Sequence, residues 1–159
     1  MKTEEKLKQL LSDKGLTISS AESCTGGLIA KRITDIPGSS SIFLGSLVTY
    51  TNEMKCKLLG VSPETIRTHT EVSFECATEM AERVRLLTGA DIGLSTTGFA
   101  GPGGGTQDNP VGTIYVGVST KDVRYSVRLS LPPELSRSAM RSKAAGTALT
   151  LALREAKKL

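Results

Sequence analysis

The stretch Leu16-Thr17-Ile18-Ser19-Ser20-Ala21-Glu22-Ser23-Cys24-Thr25-Gly26-Gly27-Leu28-Ile29-Ala30-Lys31-Arg32-Ile33 decides the fold. Leu16 to Ala21 reads as a strand and Glu22 to Gly27 as a turn. Leu28, Ile29 and Ile33 then make the apolar stripe of a helix that Pro37 ends. A strand that turns directly into a helix is the building unit of an α/β sheet, and its turn lies at the carboxyl end of the strand. Ser23 and Cys24 therefore sit where free backbone N–H groups and the positive end of a helix dipole converge. Such a place holds an oxyanion or a phosphate.

The same punctuation runs outward in both directions. Upstream, Thr3 caps a helix to about Lys14, with Leu7, Leu10 and Leu11 on its buried face and Gly15 as its stop. Downstream, the polar loop Gly38-Ser39-Ser40-Ser41 leads into a strand from Leu44 to Tyr50. Asn52 then caps a short helix to Leu59, closed by Gly60, with Lys55 in its first turn. Ser62-Pro63-Glu64 opens another short helix. Ser73 caps a longer one, in which Ala77, Met80, Ala81, Val84 and Leu87 form one stripe up to Gly89. A third strand, Asp91 to Thr97, breaks into a glycine-rich loop from Gly98 to Asn109. Thr113 to Ser119 and Val123 to Ser130 form a hairpin around Thr120-Lys121-Asp122. Its second strand alternates Val123, Tyr125, Val127 and Leu129 against Arg124, Ser126, Arg128 and Ser130. Pro132-Pro133 starts a closing helix through Met140, Ala144, Ala148 and Leu151 to Lys157-Lys158. The expected fold is α/β, a compact single domain over residues 1–159, with a mixed sheet that includes an antiparallel hairpin and is covered by helices. No internal repeat of 20–50 residues is present.

Composition narrows the function. A chain of 159 residues buries roughly 68–70% of its unfolded surface, which suffices for one core. No run approaches ~20 apolar residues, and Met1 to Lys6 is charged without an apolar stretch, so neither a membrane span nor a signal peptide is expected and the expected location is cytoplasmic. Cys24, Cys56 and Cys76 are odd in number and form no C-x-x-C pair, so neither a disulfide framework nor a zinc site is indicated. The charge balance of 20 Lys+Arg against 16 Asp+Glu is mild and spread along helices. That argues against duplex nucleic acid and is compatible with a small anionic ligand or with solubility alone. The single histidine, His69, excludes most imidazole metal sites and hydrolase relays, so any general base is another group.

Two further segments carry chemistry. In Val48-Thr49-Tyr50-Thr51-Asn52-Glu53-Met54-Lys55, a strand end and a helix start aim a phenol and an amine at one cleft. The plain alternative is a half-buried tyrosine and a solvated lysine. A lysine near a helix N-terminus is disfavoured by roughly 0.3–1 kcal/mol, which also helps it lose its proton. Gly98-Phe99-Ala100-Gly101-Pro102-Gly103-Gly104-Gly105 follows a strand and allows close backbone approach to a ligand. It matches neither the G-x-x-x-x-G-K-[ST] phosphate loop nor the G-x-G-x-x-G fingerprint, and a flexible connector is its alternative reading. Ser23 taken alone reads more readily as a helix cap than as a nucleophile, and its position at the turn carries the signal.

Taken in order, AESCTGG (21–27), PGSSS to VTYTNEMK (37–55), HTEVS (69–73), TTGFAGPGGGT (96–106) and NPVGTIYV (109–116) resemble the CinA C-terminal domain family. Its characterised enzymatic members are nicotinamide-nucleotide amidases of the PncC type. The resemblance spans nearly the whole chain. It implies a compact α/β domain, here expected to stand alone, that hydrolyses the carboxamide of nicotinamide mononucleotide to a carboxylate and ammonia. It also implies a role in pyridine nucleotide salvage, no cofactor or metal, and a homo-oligomer. It places a Ser-Lys dyad at Ser23 and Lys55 with Tyr50 nearby, the amine taking the hydroxyl proton once its pKa falls below the usual lysine range. The amides of Thr25, Gly26 and Gly27 become the expected oxyanion donors. Ser39, Ser40, Ser41, Thr97, Gly98 and Gly101 become the expected binding groups for the phosphate-bearing substrate.

The chain departs from the family pattern twice. Where family members often read H-G-A-V-S it has His69-Thr70-Glu71-Val72-Ser73, and where they often carry G-D-R before the last helix it has Leu135-Ser136-Arg137. Arg137 and Arg141 keep basic positions there. Two other readings stay open at this level: a non-catalytic nucleotide-binding or regulatory domain with the same pocket, and hydrolysis through Cys24 in place of Ser23.

Overall fold

Five strands form one sheet in the order β2-β1-β3-β4-β5 in the computed structural model, which describes residues 1–159. They are β1 (Ile18–Glu22), β2 (Phe43–Val48), β3 (Ile92–Gly98), β4 (Thr113–Ser119) and β5 (Arg124–Ser130). β1 pairs in parallel with β2 and β3, while β3–β4 and β4–β5 are antiparallel. The sheet is thus mixed and ends in the expected hairpin. The helices are α1 (Thr3–Lys14), α2 (Leu28–Thr34), α3 (Asn52–Lys57), α4 (Pro63–His69), α5 (Phe74–Thr88) and α6 (Arg137–Ala156). None is long and apolar enough to cross a membrane.

The period-two alternation of the strands divides the core. Ile18, Ile92, Leu94, Ile114, Val116 and Val118 face α1, α2 and α6, meeting Leu7, Leu11, Ile29, Met140 and Leu149, all essentially without exposed surface. Each such side chain contributes about 1.5–3 kcal/mol by leaving water. The opposite face carries small residues and receives α5, whose Cys76, Met80 and Val84 pack with Ala21, Leu59 and Val61. α5 lies so close to the sheet that a Cβ at Gly117 would come within 2.4 Å of the Ala77 carbonyl oxygen. The Ser95 hydroxyl donates to that same oxygen at 2.5 Å.

Several boundaries differ from the sequence expectations for local reasons. Thr3 is the first helical residue and not the cap, because the Lys2 N–H donates to Glu5 Oε2 at 2.6 Å and moves the start one residue earlier. β1 begins at Ile18 rather than Leu16. β2 ends at Val48, leaving Tyr50 beyond the strand. α3 is capped by Thr51 in place of Asn52, its hydroxyl accepting from the Met54 N–H at 3.2 Å. At the last turn of α5 the inward position falls to Thr88, which donates to Ser19 Oγ at 2.9 Å, so Leu87 points outward and is 59% exposed. Pro132-Pro133 form a turn, and α6 starts only after Ser136, whose hydroxyl accepts from the Ala139 N–H. β5 is an edge strand, so Tyr125, Val127 and Leu129 are half-buried and Val123 lies outside it, exposed.

Candidate active site

Ser23 follows β1 directly, and its N–H donates to the Thr96 carbonyl at 3.0 Å, continuing the ladder by one residue. Alternation along β1 turns Glu22 toward α2 and Ser23 toward the α3 and α5 side. The segment after β2 turns at Thr51 into α3, whose second half delivers Lys55. Its Nζ lies 3.0 Å from Ser23 Oγ and 3.1 Å from the Thr49 carbonyl oxygen. Lys55 is 1% exposed and Ser23 7% exposed. Both hydrogen-bond partners of the amine are uncharged. Burial therefore pushes the Lys55 pKa down, opposed through space mainly by Cys76 and Glu71.

Cys24, next to the serine, is buried, and burial pushes its thiol up to about 11, which keeps it protonated and poorly nucleophilic. The turn itself is tied from both sides. The Gly26 N–H is used on the Ser23 carbonyl at 3.0 Å, so it is not available as an oxyanion donor, whereas the Cys24, Thr25 and Gly27 amides have no partner within the protein. Arg141 of α6 donates to the Cys24 carbonyl at 3.1 Å and to the Thr25 carbonyl at 2.8 Å.

Glu22 received no role from the sequence, yet it organises this turn. It is fully buried without a cation. Oε1 accepts from the Ile29 N–H at 2.8 Å and the Thr25 hydroxyl at 2.7 Å, and Oε2 from the Ala30 N–H at 3.0 Å and the Ser46 hydroxyl at 3.1 Å. A carboxylate with this many donors at the start of a helix is stabilised without a counter-ion. An acid closing an otherwise apolar or hydroxylic strand, a few residues ahead of a helix, was the available signal.

Ser23 and Lys55 open into a cavity of about 230 Å³ that Tyr50, Asn52, Glu71, Phe99 and Arg137 also line. Thr97, Gly98 and Gly101 also line it. Gly101 has φ 71°, and a Cβ there would meet Val111 Cγ1 at 2.7 Å. Thr25, Gly26 and Gly27 lie behind Ser23 and do not line the cavity. Ser39, Ser40 and Ser41 are not at the site. They form a short 3-10 turn before β2, beside the Ile18 end of β1, a strand length of roughly 15 Å from Ser23. What the sequence does not reveal is that β2 runs parallel to β1, which sets its amino end at the far end of β1 from Ser23. Tyr50 is 57% exposed at the rim, where its Oη accepts from Arg137 at 2.8 Å rather than bonding Lys55.

Sequence reasoning gave no site role to Glu71, Phe99 or Asn52, and treated Arg137 only as a retained basic position. Arg137, the first residue of α6, also donates to the Gly101 carbonyl at 2.7 Å, joining the last helix to the glycine loop. Glu71 follows Thr70, which has φ 68° and ψ 169°, a region essentially reserved for glycine that costs of order 1–3 kcal/mol. The Thr97 hydroxyl donates to the Glu71 carbonyl at 2.7 Å and holds this segment against β3.

Similarity to other proteins follows the same lines. The sequence profile of the CinA C-terminal domain matches residues 1–156. A putative competence-damage inducible protein of Caldanaerobacter subterraneus subsp. tengcongensis is 51% identical over 139 residues, which are 87% of this chain and 34% of that protein. The nicotinamide-nucleotide amidohydrolase PncC of Shewanella oneidensis is 44% identical over 151 residues, 95% of this chain and 35% of that protein. The chain thus spans about a third of the length of these relatives. Among solved structures, the competence/damage inducible protein CihA from Agrobacterium tumefaciens superposes with a TM-score of 0.88 at 36% identity, covering 96% of this chain and 95% of that one. A CinA superfamily protein from Klebsiella pneumoniae gives 0.91 at 27% identity with both chains fully covered. With a profile that reaches from the first helix to the end of the last, and solved structures of the superfamily that cover nearly all of both chains, the chain belongs to the CinA C-terminal domain family.

Proposed function

We propose that this domain is an amidohydrolase acting on the carboxamide of nicotinamide mononucleotide, with Ser23 as nucleophile and Lys55 as general base. The observation that carries this reading is an amine with 1% exposure, no anionic hydrogen-bond partner and a serine hydroxyl 3.0 Å away. Burial favours the neutral amine, which is the form that can take a proton. The relative from Shewanella oneidensis named as a nicotinamide-nucleotide amidohydrolase supports the substrate.

Neutral Lys55 takes the Ser23 hydroxyl proton as Oγ bonds to the amide carbon. The oxyanion that develops is met by the free amide of Cys24, the turn residue beside Ser23 that lines the cavity, worth about 3–4 kcal/mol when well placed. Protonated Lys55 gives its proton to the leaving nitrogen, ammonia departs, and the acyl group stays on Ser23. Water then attacks the ester carbon, Lys55 removes one of its protons and passes it to Ser23 Oγ, and the acid released gives its remaining proton to solvent and leaves as the carboxylate. Arg137 and the unpartnered amides of Ala100 and Gly101 are the groups suited to a phosphate at the other end of the substrate.

Ammonia release from nicotinamide mononucleotide tests the reading. Ser23→Ala is expected to lower kcat at least about 10³-fold, while Cys24→Ala keeps it within about threefold. The reverse pattern contradicts the dyad. Saturable binding without ammonia identifies a binding domain in place of an enzyme.

A further inference from the structure

We propose that Glu71 selects for ligand charge, making the cavity prefer an N-substituted, positively charged pyridinium amide over an uncharged ring of the same shape. The proposal rests on the amidase reading of the same cavity and names what part of the substrate that reading leaves unrecognised.

Glu71 is the one acid lining the cavity that holds Ser23 and Lys55. Its carbonyl is held by the Thr97 hydroxyl at 2.7 Å, and the Ser73 hydroxyl holds the preceding Thr70 carbonyl at 2.9 Å. The residue is therefore presented from an anchored backbone, entered through the left-handed Thr70. Arg137, at the rim, donates to the Gly101 carbonyl and the Tyr50 hydroxyl, and neither it nor Lys55 forms an ion pair with Glu71. The cavity thus offers one unpaired negative group beside the reacting pair and a positive group at its rim. That layout matches a ligand carrying a cation next to the reacting carbonyl and an anion at the far end.

An acid beside Lys55 also favours the protonated amine, which by itself works against a base. A ligand that brings its own positive charge cancels this effect when it binds, whereas a neutral amide does not. Phe99 lines the same cavity and offers an aromatic surface to a flat ring.

The test compares binding of nicotinamide mononucleotide with its reduced 1,4-dihydro form, which has the same carboxamide, ribose and phosphate but no ring charge. Calorimetry on the Ser23→Ala protein avoids turnover. The expected result is about a tenfold preference for the cationic form, one such charge contact at a part-exposed site being worth about that much. Adding Glu71→Gln removes the preference by weakening the cationic ligand alone, and Glu71→Asp retains it. Equal weakening of both ligands by Glu71→Gln, or an unchanged preference, overturns the proposal and leaves the amidase reading standing. Absence of ammonia release by the unsubstituted protein overturns that reading and the proposal with it.

Discussion

Lys55 is an amine held almost out of contact with water, where the charged form is disfavoured and the only acceptors are a serine hydroxyl and a backbone carbonyl. In the unfolded chain the same group has the ordinary lysine value of 10.5, and in the fold burial brings it lower. Between the folded value and 10.5 the unfolded chain binds more protons, so stability rises with pH across that window, and the full cost is present beneath it. Lys55→Met is therefore expected to unfold at higher denaturant than the parent near neutral pH, with the gain shrinking toward zero as pH approaches 10.5. Urea titrations at several pH values check this, and a gain that grows with pH contradicts it. If Lys55 acts as the proposed base, the same substitution lowers turnover about 10²–10⁴-fold. In the parent, activity is expected to rise with pH along a limb below the ordinary lysine range.

At the scale of elements, the turn between β1 and α2 is only as rigid as the carboxylate behind it. Alternation in β1 sends Ser23 to the cavity and Glu22 to the opposite face, where it takes two α2 amides and the Thr25 and Ser46 hydroxyls. Glu22→Ala leaves these buried donors unmet and is expected to cost at least about 3 kcal/mol, each orphaned group losing about 1–3. Denaturant unfolding measures the loss. Glu22→Gln keeps the shape but sets an amide group against donors, and is expected to lower kcat along with stability. The strand–turn–helix reading of residues 16–33 located Ser23 correctly because periodicity and the glycine pair are local signals. It gave Glu22 no role, since its partners include Ser46 on another strand.

The whole molecule closes around the site through its last helix. α6 sits against the sheet with Met140, Ala144, Ala148 and Leu149 buried, and its first turns send Arg137 to Gly101 and Arg141 to the Cys24 and Thr25 carbonyls, more than a hundred residues upstream. Arg141 touches no reacting atom and acts by holding the turn. Arg141→Ala is expected to lower kcat about tenfold or more, with a smaller change in KM, because the turn amides lose their alignment while the rim that binds substrate is intact. Steady-state kinetics with nicotinamide mononucleotide separates the two effects, and a change in KM alone contradicts the positioning role.

The α/β class, the mixed sheet with its hairpin, and the places of Ser23 at a strand-to-helix turn and Lys55 on a short helix are legible in the sequence, because hydrophobic periodicity, caps and glycine stops act over a few residues; that the two side chains meet was implied only by the family resemblance. The pairing of the strands decided their relative directions, and with them which loops share one end of the sheet. Tertiary structure removed Ser39, Ser40 and Ser41 from the site, turned Tyr50 to the rim, and brought Glu71 and Arg137 to one cavity from separate parts of the chain. It also decided the chemistry of Lys55, since desolvation is a property of everything packed around an amine and is written in no single segment.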